Sequence, residues 1–193
     1  MLQLVVALAD SDCEQLHSGW LAQPANAVSA LAFVVVGAWL LLDSRRVGAG
    51  RGLVIATSVG MISAGVGSVA YHGPQPGWAH VVHDLSALLL AVLVIGHTTW
   101  LLLLPGRRRE VVAACGSVLP WGVVAVTAYV AGRSGSPLCH PATIWQPHAL
   151  WHIFSAVTIG ALGRAVRPVS GPAGRRAAAS PAPHPSCSQP EPS

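Results

Sequence analysis

Lysine is absent from this sequence, and charged side chains of every kind make up only 9% of it. A soluble domain carries roughly 25% charged residues. With 52% hydrophobic residues, the chain has too little polar surface to stay in water, and the membrane class follows. Cysteine is also scarce. Cys13, Cys115, Cys139 and Cys187 form no Cys-x-x-Cys pair, which excludes a zinc ribbon or a thioredoxin-like motif. The apolar residues 1–9 lack a basic n-region and are short for a secretory signal. Asp12 directly before Cys13 spoils a lipoprotein cleavage site. Residues 1–22 therefore read as an external N-terminal segment. No internal repeat is visible, and the net charge of +4, all arginine, does not suggest a nucleic-acid partner.

What the chain does have is five long apolar runs, at about 23–42, 52–70, 79–104, 111–130 and 148–166. Roughly 20 residues at 1.5 Å each cross a bilayer. The expected fold is an all-α integral membrane protein, a bundle of about five transmembrane helices over residues 23–168. Arginine sets its direction. Arg45, Arg46 and Arg51 fall between the first two runs, Arg107, Arg108 and Arg109 after the third, and Arg164, Arg167, Arg175 and Arg176 at the end; only Arg133 lies on the other side. By the positive-inside rule the N-terminus is outside and the C-terminus cytoplasmic. Residues 169–193, mostly Pro, Ala, Ser and Gly, cannot bury enough surface to offset chain entropy and read as a disordered cytoplasmic tail.

This topology gathers an unusual set of side chains at the outer surface. His72 closes the second run, and His148 and His152 open the last. An i, i+4 pair of histidines places two imidazoles on adjacent turns of one helix face, where both can bind one metal. A third imidazole with an open fourth position completes a zinc site of the catalytic kind. Ser68 shares a helix face with His72, about 6 Å away along the axis. Asp84 stands inside the third run, where a carboxylate costs roughly 2.5–3.5 kcal/mol on insertion scales and should face a cavity or a cation. Gly60, Gly65 and Gly67 thin the second helix and allow close neighbours. Taken singly, a histidine at a helix end is an interfacial residue and a serine packs helices; joint occurrence at one level is what points to a site. His80 and His83 flank Asp84 as second-shell partners or as interfacial residues. His83 and His97 are fourteen apart on one helix face, a haem-ligand spacing, but no second helix offers the matching pair.

Together these residues resemble the alkaline ceramidase family, within the CREST superfamily of integral-membrane metal-dependent hydrolases that also includes adiponectin-receptor-like proteins. The matching pieces are Cys13-Glu14, then Asn26-Ala-Val-Ser29-Ala-Leu-Ala-Phe33, then Gly67-Ser68-Val-Ala-Tyr71-His72, then Asp84, then His148-Ala-Leu-Trp-His152. The resemblance implies a zinc ion on His72, His148 and His152, with Ser68 and Asp84 as catalytic residues. It implies hydrolysis of an amide (or ester) bond in a membrane lipid. Zinc lowers the pKa of bound water toward ~7; Asp84 would move its proton and Ser68 would hydrogen-bond the developing oxyanion. It also implies a Cys13–Cys139 disulfide in an oxidising compartment, with Cys115 a buried thiol and Cys187 a tail thiol. The chain departs from the family in having five expected helices where seven are usual. It departs too in the calcium cluster, where Glu14 matches but Ser11, Leu16 and Gln23 do not, so calcium is doubtful. The all-arginine, Ala/Val/Gly-rich composition is that of a GC-rich bacterial genome. The expected location is thus the bacterial plasma membrane with the site toward the outer face, and the lipid itself is left open. The competing classes are a non-catalytic metal-binding receptor or sensor and a haem-binding membrane subunit.

Overall fold

A computed structural model describes residues 12–46 and 51–165. Over these residues the chain forms five α-helices: α1 (Pro24–Asp43), α2 (Arg51–His72), α3 (Ala79–Leu103), α4 (Arg108–Ala131) and α5 (Pro147–Ala165), with a 3-10 turn at Ser44–Arg46. Their ends fall within a few residues of the apolar runs. Apolar length dictates this, because a backbone without water must satisfy its own hydrogen bonds. α1 to α4 are long and apolar enough to cross a membrane, so the chain is a helical integral membrane protein. α5 forms where the fifth span was expected but is less apolar, carrying His148, His152, Ser155, Thr158 and Arg164. It packs between α1 and α4, so less of its surface has to face lipid. At 19 residues it is still about 28 Å long.

α1 packs against α2, α2 against α3 and α4 against α5, each pair running in opposite directions, while α1 and α5 lie side by side in the same direction. The packing order is α3, α2, α1, α5, α4. α3 and α4, consecutive in the chain, touch only sparsely, and the ring of helices is open between them. Phe33, Leu40, Met61, Ala64, Leu90 and Ala156 form the central core. The helix alternation places Arg45, Arg51, Arg107, Arg108, Arg109 and Arg164 at one end and the three histidines at the other.

Two glycines set the spacing around α2. A Cβ at Gly65 would lie 3.1 Å from the Ala30 carbonyl of α1, and one at Gly67 would lie 3.3 Å from His83 Cα of α3. This is the close approach that small residues allow between membrane helices. At the histidine end, residues 12–23 form a strap across the bundle. Cys13 N–H donates to the Gly132 carbonyl (2.9 Å), and Gln15 N–H donates to that of Pro141 (3.0 Å). The Cys13–Cys139 disulfide is present, with Cα atoms 5.4 Å apart. Cys115 is a free, half-buried thiol. The expected tail, with Cys187, lies outside the described residues, as do residues 1–11.

Candidate metal centre

Two helices deliver the three histidines. The last turn of α2 supplies His72, and the first two turns of α5 supply His148 and His152. Ligand atoms of the three all lie within 4.8 Å of one another. His72 and His148 ring centres are 5.2 Å apart, and His148 and His152 centres 4.8 Å. All three side chains are buried. The i, i+4 spacing brought His148 and His152 together as expected. Gly132, at the C-terminal end of α4, makes room for them, because a Cβ there would sit 2.8 Å from the Cβ of His148.

Hydrogen bonds fix the tautomers of two of the rings, His72 and His152. Gln23 Nε2 donates to the Glu14 carbonyl (3.1 Å). That leaves Gln23 Oε1 as acceptor for His72 Nδ1–H at 2.6 Å, and His72 Nε2 is buried without a hydrogen-bond partner. His152 Nδ1 lies 3.1 Å from the Asn26 carbonyl, which can only accept. Its proton is therefore on Nδ1, and its Nε2 lone pair points toward Ser68 Oγ, 3.2 Å away. Ser29 Oγ stands 2.9 Å from the same Nδ1 while donating to the Asn26 carbonyl. Histidines that hold a metal through one nitrogen characteristically donate the other to a carbonyl, amide or carboxylate.

The sequence-predicted residues take up different positions around this centre. Ser68 is buried against His152. Asp84 is not buried: 58% of its side chain is exposed, and it pairs with His83 Nδ1 at 2.8 Å and His80 Nε2 at 3.4 Å. Thus His80 and His83 are partners of Asp84. His83 also lies near the trio, its ring centre 5.7 Å from that of His72. Tyr71 stacks on His83, with ring centres 4.8 Å apart. His97 is separate, lining a small cavity with Leu40, Val54 and Thr57 and no second histidine. Glu14 is buried and its carboxylate is engaged at the start of α1. Its two oxygens accept from Ala25 N–H (2.7 Å) and Asn26 N–H (2.8 Å) and cap the start of α1. The Asn26 side chain is fully buried, but only its carbonyl meets a histidine.

No family model, curated protein or solved structure matches the chain. The site must therefore be read from its own chemistry. Three imidazoles, two of them with their tautomers set so that Nε2 carries the lone pair, form a donor set suited to a borderline-soft divalent cation such as zinc. Beside them is a cavity of about 730 Å³, walled by apolar residues of α3 and α4 such as Leu90, Val94, Ala125 and Val126. Ser68, His83, Asp84, His148 and His152 line its polar end. Ile95 and Val126 on its walls are exposed, so it opens sideways where α3 and α4 separate.

Asp12, Gln23 and Ser29 surround the histidines without having been singled out for that role by the sequence. Asp12 is buried, with Oδ1 3.2 Å from His148 Nδ1 and 3.6 Å from Arg133 Nη1, and Oδ2 4.0 Å from His72 Nδ1. Burial pushes its carboxyl up to about 6, against the pull of the Arg133 guanidinium. The one local signal for Asp12 was its position next to a cysteine that pairs across the bundle.

Proposed function

We propose that the chain is a zinc-dependent integral-membrane hydrolase that cleaves an amide (or ester) bond in a lipid, similar to the alkaline ceramidases. The observation that carries the reading is the buried histidine trio at the polar end of a laterally open apolar cavity. His72, His148 and His152 would hold the ion. When bound, it would supply Lewis acidity and a water whose pKa is lowered toward neutral.

The chain's own groups supply the rest. Asp84, exposed to the cavity and held by His80 and His83, can accept and return a proton there. Ser68 Oγ–H, beside His152, is placed to donate to an oxygen that gains negative charge. The apolar walls suit an acyl chain, whose buried CH₂ groups contribute about 0.8 kcal/mol each. Arginine placement, through the positive-inside rule, supports a site at the outer face, and the composition suits a bacterial plasma membrane.

The test is metal analysis of the purified protein, paired with turnover of lipid amides and esters. About one zinc per chain is expected, lost in the His148→Ala, His152→Ala double variant. Hydrolysis should be lost in Asp84→Asn with zinc retained. A wild type without zinc would overturn the reading. Wild type with zinc but no turnover of any lipid would instead support a metal-binding receptor or sensor.

A further inference from the structure

Two of the three imidazoles have an evident acceptor for Nδ1: the Gln23 amide for His72 and the Asn26 carbonyl for His152. His148 has none by strict geometry. Its Nδ1 and Asp12 Oδ1 are both buried, both without a hydrogen-bond partner, and only 3.2 Å apart. A buried donor and a buried acceptor left unpaired are both costly, and a small ring rotation joins them. We propose that Asp12 is the positioning residue for His148, accepting its Nδ1–H and leaving Nε2 for the metal. This inference rests on the metal-centre reading above.

The backbone is built to bring these two groups together. Gly132 is the meeting point: its carbonyl anchors the residue after Asp12, and its missing Cβ admits His148. The disulfide to Cys139 fixes the same strap from the other side. Arg133 faces Asp12 from the end of α4, at 3.6 Å, and is partly exposed. It approaches the same oxygen, Oδ1, as His148 does and balances the carboxylate's charge, but at that distance it makes no hydrogen bond that would displace the imidazole. The consequence is an unequal trio. A carboxylate acceptor makes an imidazole a stronger donor than an amide or carbonyl acceptor does, so His148 is the strongest of the three ligands.

The experiment measures zinc affinity of the purified full chain by chelator competition, with the visible bands of the cobalt-loaded protein as a second readout. Asp12→Ala should bind zinc about 10–100-fold more weakly and shift the cobalt bands. Asp12→Asn, which keeps the shape and an acceptor, should show a smaller loss in the same direction. Arg133→Gln should stay within about threefold of wild type. If Asp12→Ala does not fold, Asp12→Asn decides: weaker zinc and shifted bands support the role, and wild-type values overturn it. Wild type that binds zinc alongside an Asp12→Ala protein of unchanged affinity and spectrum overturns the role of Asp12 alone. Wild type that takes up no zinc overturns the metal-centre reading itself.

Discussion

Gln23 Oε1 accepts from His72 Nδ1 at 2.6 Å while the same side chain donates to the Glu14 carbonyl. One amide thus reads the tautomer of a helix-end histidine and ties it to the strap. Gln23→Leu removes that acceptor with little change in volume. Zinc affinity should fall about 10–100-fold, the usual effect of losing an outer-shell partner, and Gln23→Glu should recover most of it. Chelator competition measures both, and an unchanged affinity in Gln23→Leu would refute the link.

Glu14 caps α1 with both carboxylate oxygens. Glu14→Ala should therefore cost about 0.5–2 kcal/mol of stability, the range for a lost helix cap. Because both oxygens are engaged, millimolar calcium should not change the melting temperature of the wild type in detergent. A clear calcium-dependent rise would show that the carboxylate is available after all.

Gly132 and Gly116 both lie near or within α4, yet they predict opposite outcomes. A methyl group at Gly132 meets the backbone and Cβ of His148, while one at Gly116 meets nothing within 4 Å. Gly132→Ala should displace His148 and lower zinc affinity more than it lowers stability. Gly116→Ala should leave zinc unchanged and stabilise by roughly 0.5–1 kcal/mol, the helical preference for alanine. Equal zinc affinities in the two variants would contradict this placement of His148.

Reducing the Cys13–Cys139 disulfide, or making Cys13→Ser, frees the strap that carries Asp12, Glu14 and Gln23. The expected result is a lower melting temperature together with faster loss of zinc to a chelator. A chain-entropy estimate for so long a loop is about 4–5 kcal/mol; membrane helices already confine the unfolded chain, so the measured loss should be smaller. Zinc retention that is indifferent to reductant would separate the strap from the site.

Much of the framework was legible because membrane insertion writes it in runs and spacings. Apolar length located all five helices, and i, i+4 spacing located His148 beside His152. Gly65 and Gly67 announced close packing around α2. The groups that orient the histidines were not legible in the same way. Asp12 reaches His148 across a bridge to Arg133, and residues in a strap have no periodicity to place them. Glu14 was readable as an acidic residue near a helix start, but the identity of the N–H groups it caps depended on how the strap crosses α1. The sparse contact of α3 with α4 was only partly legible: Asp84 marked a cavity-facing side of α3, but the apolar sequence of α4 gives no sign of which of its faces stays open.

The ring of partners around the histidines joins residues 12–29 to residues 132–152, so its two halves leave the ribosome far apart in time. Cys13 is made 126 residues before Cys139. At roughly 5–20 residues per second, the strap waits on the order of 6–25 s for its disulfide partner and for the helix that carries two of the three histidines. Closure of the disulfide and assembly of the histidine trio are therefore among the last events of biogenesis, after α1 to α4 have been synthesised.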